Sequence, residues 1–270
     1  MIELINILKE QFKHKSLIFK LAIYNMKSEY ANHYLGIFWN IIQPLLQLIV
    51  YYLVFGLGLR GGGDKLVDGV PFVIHLITGL FPWLFISHGI NSGASIILSN
   101  VGLLSKMKFP PSVFLSISMT KNIFNLIITT SIIFIISVLN NLVPWWHYFY
   151  FFYFLLGAII LIYSISLITS TLVVIIRDTR NLLQNIIRML FFMTPIFWSI
   201  EEAHGILKNI VSLNPFSYLI GFYRLSFVKA DIYTYGSWSD HMYFWILTSS
   251  ILLIGSIIHY HFKRRLLDYL

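Results

Sequence analysis

LGIFWNIIQPLLQLIVYYLVFGLGL, residues 35–59, carries no charged side chain. As an α-helix rising about 1.5 Å per residue, it is long enough to cross a bilayer core of about 30 Å. It is predicted to be the first membrane span. Its polar and small residues are not scattered. Gly36, Asn40, Gln43, Gln47, Tyr51 and Gly58 fall within about 80° of one another at 100° per residue, while Leu45, Leu46, Ile49 and Leu53 point elsewhere. An amide facing lipid leaves donors and acceptors unpaired, so this stripe is expected to face either neighbouring helices or a hydrated path. The rest of the chain should pack around it.

The surrounding composition supports a membrane protein. Of 270 residues 57% are apolar and 11% charged, with a mean hydropathy of +0.77, outside the range of soluble globular domains. The fold expected is an all-α integral membrane protein with six transmembrane helices, near 35–59, 72–99, 113–139, 148–176, 181–199 and 243–262. It is expected to form a single membrane domain over 1–270, with a cytoplasmic or interfacial segment over 1–33 and the membrane region over 34–270. The first thirty residues do not read as a removable signal peptide, because they lack a small-residue cleavage site. In them Leu4, Ile5, Leu8 and Phe12 share one helical face and Glu3, Asn6, Glu10 and Lys13 lie opposite, as suits a helix lying in the headgroup layer. Short helices dipping into the outer leaflet are expected between the fifth and sixth spans. There Asn214-Pro215 makes a helix start, and Phe216, Leu219, Ile220, Tyr223 and Phe227 repeat on one face.

Charge placement orients the chain. With the N-terminus inside, the inner segments hold Lys9, Lys13, Lys15, Lys20, Lys27, Lys106, Lys108, Arg177, Arg180, Lys263, Arg264 and Arg265, twelve of the nineteen basic residues. The outer segments hold Arg60, Lys65, Lys208, Arg224 and Lys229. Both termini are therefore expected in the cytoplasm. Lys121 and Arg188 lie within spans, and no span contains an acidic residue to pair with them. They either snorkel to the inner interface or meet an anionic substrate whose charge supplies the missing partner.

Several chemistries are excluded. There is no cysteine, so disulfides and thiolate metal sites are impossible, and the nine histidines show no ligand spacing. No metal site is expected. The stretch RGGGDKLVDGVP (60–71) lacks the GxxxxGK[ST] spacing of a phosphate loop, and no nucleotide-binding signature occurs elsewhere. The small residues Gly89, Ser92, Gly93, Ala94 and Ser95 of the second span should admit another helix at close range. NVGLLSKMKFPP (100–111) is a short, basic cytoplasmic element closed by two prolines, compact enough to act as a lever.

The motifs taken in order resemble a family. These are LG-x-x-W then P (Leu35, Gly36, Trp39, Pro44), GL-x-PW (Gly79, Leu80, Pro82, Trp83), SN-x-GL-(x)5-FP (Ser99, Asn100, Gly102, Leu103, Phe109, Pro110), RD (Arg177, Asp178), the run Thr194-Pro195-Ile196-Phe197, and NP (Asn214, Pro215). Over essentially the whole chain they resemble the type 2 ABC-transporter permeases that export polysaccharides and wall teichoic acids. The resemblance implies a homodimer working with two copies of a separate ATPase subunit in a bacterial cytoplasmic membrane. The complex would move a polymer carried on undecaprenyl diphosphate. ATP and magnesium would be bound by the ATPase, with no cofactor on this chain.

It further implies that Gly102, Leu103, Leu104, Lys106, Lys108, Phe109 and Pro110 belong to a coupling element docked on the ATPase, with Arg177 and Asp178 close by. The first, second and fifth spans would line the path. Candidate path residues are Asn40, Gln43, Gln47, Tyr51, Tyr52, Phe81, Trp83, Phe191, Phe192 and Phe197, since a sugar or polyol chain needs hydrogen-bonding groups and aromatic faces. Candidate phosphate contacts are Lys20, Lys27, Lys121 and Arg188 on the inner side, and Arg224 and Lys229 at the exit. Within the family, wall teichoic acid is the cargo favoured, with O-antigen or capsular polysaccharide as the alternative. A membrane-bound transferase and a proton-coupled carrier both fit less well, because the spans contain no carboxylate. No nucleic-acid partner is expected.

Overall fold

The computed structural model describes residues 2–30, 34–59, 66–67, 69–106, 110–200, 203–228 and 236–263. One two-residue hairpin, Leu66–Val67 (β1) against Val70–Pro71 (β2), interrupts an otherwise helical order among these residues. Helices satisfy their own backbone groups, as an apolar solvent demands.

Two helices, Ile2–Lys13 (α1) and Lys15–Tyr30 (α2), precede the first span. The apolar side of α1 splits: Ile7 is buried against Leu115 and Leu167, while Ile5, Leu8 and Phe12 stay exposed. Its polar side holds it to the bundle. Glu10 accepts from Ser112 Oγ at 2.5 Å and pairs with Lys263. Gln11 Oε1 accepts from Ser116 Oγ at 2.6 Å, and Asn6 reaches Tyr260. These contacts bring both ends of the described chain to one end of the bundle.

Among the described residues five helices are long and apolar enough to cross a membrane: Trp39–Gly58, Phe72–Ser99, Pro111–Leu139, Trp145–Ile175 and Trp238–Phe262. The first begins as an α-helix, Trp39–Tyr51 (α3), and continues as a π-helix, Tyr52–Leu59. It is entered through a 3-10 turn whose Gly36 sits at φ 52°. Only 6% of its most apolar window is buried, against 78% for Phe72–Ser99 (α4), which is the centre of the molecule. Around α4 stand α6 (Pro111–Leu139) and α7 (Tyr150–Ile175), and α11 (Trp238–Phe262) packs on α7.

Glycines set the closest of these contacts. A Cβ on Gly93 would lie 2.2 Å from Ser166 Oγ, and one on Gly255 would lie 2.9 Å from the Ser164 carbonyl oxygen. Helix α7 is therefore the neighbour that the small-residue run of α4 admits.

The stretch expected as the fifth span is a 15-residue helix, Thr179–Met193 (α8), followed by irregular backbone. At about 1.5 Å per residue it extends about 22 Å, less than a bilayer core. Pro195, lacking an N–H, stops it. The outer connection contains α9 (Ile206–Leu213) and α10 (Pro215–Phe227). Asn214 caps α10 by accepting from the Phe216 N–H at 3.0 Å, and Pro215 occupies the first turn, as the sequence suggested. Every residue of α10 from Phe216 to Phe227 is buried, because α4 and α7 enclose it. A short helix, Val101–Lys106 (α5), joins α4 to α6.

Candidate functional site

The amide stripe of the first span meets other polar groups within the same chain. Asn40, Gln43 and Gln47 on α3 face His88 on α4 and Asn122, Asn125 and Thr129 on α6 across a narrow cleft of about 50 Å³, with Phe81 and Phe85 in its wall. Asn40 is buried and Gln43 exposed, so the cleft runs from the interior to the surface. Asn122 is fixed by donating from Nδ2 to Ser92 Oγ at 2.9 Å, and Ser118 donates to the same oxygen at 3.0 Å. The stripe thus faces polar groups of neighbouring helices.

Toward the outer side the lining becomes aromatic. Tyr51 stands 5.2 Å from Phe197 and 5.6 Å from Phe191 between ring centroids, and Phe55 stacks on Phe197 at 4.3 Å. Trp83 meets Phe191 at 5.7 Å and Phe216 at 6.0 Å. Trp83, Phe191 and Phe197 are buried in the single chain, where they pack on one another. Tyr52 stacks on Phe72. Phe192 alone of the expected aromatic set is widely exposed, at 63%. It shares an outward stripe of α8 with Asn181, Asn185 and Arg188, four positions within about 60° at 100° per residue. Arg188 has no ion-pair partner among the described residues.

Two of the expected phosphate contacts are placed differently. Lys121 is paired with Glu29 at 2.5 Å. The missing partner therefore comes from α2, which lies outside the spans where an acid was sought. Arg224 is 3% exposed and faces inward. Its Nη2 donates to His75 Nε2 at 2.9 Å and to the carbonyl oxygens of His75 and Ile196, each at 3.2 Å. An arginine only donates, so Nε2 of His75 accepts and the imidazole carries its proton on Nδ1. Arg224 is a clasp between α10, α4 and the backbone after α8, not an exit contact. Gly79 makes room for it, since a Cβ there would lie 2.8 Å from Arg224 Nη2 and 3.1 Å from Ile196 Cα. Asn214 Nδ2 donates to Thr194 Oγ1 at 3.1 Å. The GL-x-PW, T-P-I-F and NP motifs thus converge on one buried junction.

Lys20 and Lys27 are exposed on α2. Lys108, Phe109 and Lys229 lie outside the described residues. In α5, Gly102 and Leu103 are exposed while Leu104 is buried among Ile18, Ala22, Ile97 and Val113; Lys106 ends the helix and Pro110 leads into α6. Arg177 and Asp178 form an exposed turn before α8.

One cluster went unread in the sequence. Tyr153 of α7, Tyr218 of α10 and His241 of α11 join at the outer side. Tyr153 and Tyr218 hydroxyls are 2.7 Å apart, Tyr218 lies 2.6 Å from His241 Nδ1, and Trp245 Nε1 donates to Tyr153 at 2.9 Å. The residues sit on three separate helices, and no local pattern marks them.

With this geometry in view, relatives can be compared. Residues 16–228 match the model of the family described as ABC-2 type transporter. The O-antigen export system permease protein RfbA of Myxococcus xanthus is 25% identical over 228 residues, covering 84% of this chain and 85% of its own. Two Klebsiella pneumoniae proteins of the same name are 26% and 27% identical, covering 77% and 76% of this chain and 78% and 77% of their own. The family match spans most of the chain, its helices are those of a multi-pass membrane protein, and it offers the exposed turn and short helix α5 at one end. The chain belongs to the ABC-2 type transporter family, as a non-catalytic permease subunit of a bacterial plasma membrane that works with an ABC ATPase partner.

Proposed function

We infer that this chain is the membrane subunit of an exporter that moves a lipid-linked anionic polymer, wall teichoic acid on undecaprenyl diphosphate, to the outer face. It acts as a homodimer of six-span protomers with two ATPase copies. The observation that carries this reading is the outward stripe of α8, where Arg188 stands exposed among Asn181, Asn185 and Phe192 without an ion-pair partner among the described residues. A cation held at membrane depth is costly unless something neutralises it, and a polyol-phosphate chain supplies that charge transiently. Leu182, Ile186 and Met189 beside the stripe are exposed apolar surface that a second copy would cover. In this assembly α8 and its irregular continuation complete the sixth crossing, and α1 lays Ile5, Leu8 and Phe12 into the inner headgroup layer. The coupling element includes Gly102 and Leu103, with Arg177 and Asp178 close to the same ATPase surface.

The names of the relatives favour a second reading, in which the polymer is an O-antigen-type polysaccharide. The two readings separate in proteoliposomes containing the complex. Teichoic acid export predicts ATP-dependent movement of an undecaprenyl-linked poly(glycerol phosphate), with Arg188→Gln lowering its rate about tenfold, the scale of one charge-assisted contact. Movement of a neutral glycan with no dependence on Arg188 would establish the second reading. Movement without ATP hydrolysis would remove both.

A further inference from the structure

Helices α1 and α2 sort their charges by side. Two of their three acids turn toward the bundle: Glu10 pairs with Lys263 and accepts from Ser112 Oγ, and Glu29 pairs with Lys121 of α6. The third, Glu3, stands in the first turn of α1. All five lysines, Lys9, Lys13, Lys15, Lys20 and Lys27, are exposed, and none has an ion-pair partner among the described residues. The two helices therefore present a cationic surface whose counter-charge must come from outside it.

The apolar residues follow the same division. At 100° per residue Ile2, Ile5, Leu8 and Phe12 fall within about 120° of one another, with Lys9 and Lys13 along one edge of the arc. Ile7, Glu10 and Gln11, which hold α1 to the bundle, lie on the opposite side. The row is open: Phe12 is 74% exposed. On α2, Lys20, Tyr24 and Lys27 lie opposite Ile18 and Ala22, which share a buried cluster with Leu104 and Val113.

An apolar row edged by lysines matches a surface that is apolar within and anionic at its rim. Zwitterionic headgroups would leave the lysines without net counter-charge, and a free phosphate would leave the apolar row in water. The long stem of lysine lets its ammonium reach a headgroup phosphate while Phe12 and the aliphatic side chains lie deeper. Resting on the placement of α1 in the inner headgroup layer given above, we propose that α1 and α2 form a docking surface selective for anionic phospholipid, with Lys9, Lys13, Lys20 and Lys27 meeting the headgroups beside the inserted row. This lipid is a standing partner and not cargo, and its surface shares no side chain with the α8 stripe. Since Ile18 and Ala22 pack with Leu104, it is held at the end of the molecule that carries α5.

The test uses the full chain purified with its ATPase subunit, without cargo, in nanodiscs of phosphatidylcholine containing a minor fraction of phosphatidylglycerol. Either lipid is supplied in trace amount with a photoactivatable diazirine on its acyl chain, and labelled peptides are quantified by mass spectrometry. Residues 2–30 should be labelled by the phosphatidylglycerol probe about fivefold or more over the phosphatidylcholine probe, the scale that one lysine contributes at an anionic surface. The excess should shrink at high salt, which screens the attraction. It should vanish when Lys9, Lys13, Lys20 and Lys27 are all replaced by Gln and persist when all four are replaced by Arg, which keeps the charge. Lys208→Gln on α9 should leave it unchanged. Equal labelling by the two probes in wild type, or an excess that survives the Gln replacements, overturns the proposal. So does loss of the excess on adding inorganic phosphate at matched ionic strength, which would make the surface a free-anion site. Absence of label from residues 2–30 with both probes also overturns it and gives the surface to water or to a protein partner. ATP hydrolysis by the same preparation separates the two levels. An active complex with no preference between the lipids sinks the docking surface but keeps the exporter, and a chain that selects phosphatidylglycerol yet assembles with no ATPase does the reverse.

Discussion

A single side chain, Arg224, shows how much a residue's role depends on where its helix goes. In the sequence it sits on the outer side, free to meet a phosphate. In the structure it is enclosed, and its guanidinium ties α10 to His75 and to the Ile196 carbonyl. Removing one partner of a buried charged contact costs about 3–5 kcal/mol. Arg224→Ala should therefore lower the thermal stability of the purified complex sharply and transport only in proportion to the protein that folds. A well-folded Arg224→Ala complex with defective export would restore the exit role. Gly79→Ala places a methyl against Ile196 backbone, which cannot yield as a flexible side chain would. Overpacking of this kind costs about 1–3 kcal/mol, read as a lower midpoint in thermal unfolding. The Lys121–Glu29 pair is different, being partly exposed on both sides. Glu29→Gln should cost no more than roughly 1 kcal/mol, and the charge-reversed double variant should recover it in a double-mutant cycle.

Among elements, the long apolar spans were legible because a bilayer imposes length and hydropathy without asking for tertiary detail. The 28-residue α4 coincides with its expected limits. The N-cap of α10 was legible too, since Asn-Pro acts locally. What could not be read were features decided by distant partners. The change of winding at Tyr52, the all-round burial of α10, and the pairing of Lys121 with Glu29 all depend on neighbours far along the chain. Helix α5 allows a sharp comparison between adjacent residues. Leu103 is 49% exposed and Leu104 is 6% exposed. Leu103→Glu should leave the chain folded but abolish co-purification with the ATPase subunit. Leu104→Glu should instead lower expression and stability, because it buries a charge beside Ile97 and Val113. If both variants retain the ATPase, α5 is not the coupling element.

At the scale of the whole molecule, the first span and α8 leave their outward faces uncovered while most of α4 is buried. The homodimer proposed above would cover part of these faces with a copy of the same chain. Cysteines introduced at Asn185, close to Arg188 on the outward face of α8, should form an intermolecular disulfide on mild oxidation in membranes, seen as a dimer band on a non-reducing gel. A monomeric band under conditions that preserve ATPase activity would place the contact elsewhere. The site as a whole was half legible. The amide stripe of α3 was visible as a period in the sequence, but its counterpart on α4 and α6 lies about 45 to 80 residues away, as position differences, and carries no periodic signature of its own.

The enclosed cation of α10 also bears on how the protein is made. A translocating ribosome delivers α4 and α7 before α10, and each is apolar enough to enter lipid by itself. A 13-residue helix containing Arg224 is neither long nor apolar enough to do so, and its charge is acceptable only once His75 and the Ile196 carbonyl are in place. Membrane insertion and tertiary folding are therefore separate events in this chain. Nascent chains halted before residue 215 would integrate α4 and α7 normally yet lack the helix that packs on both of them.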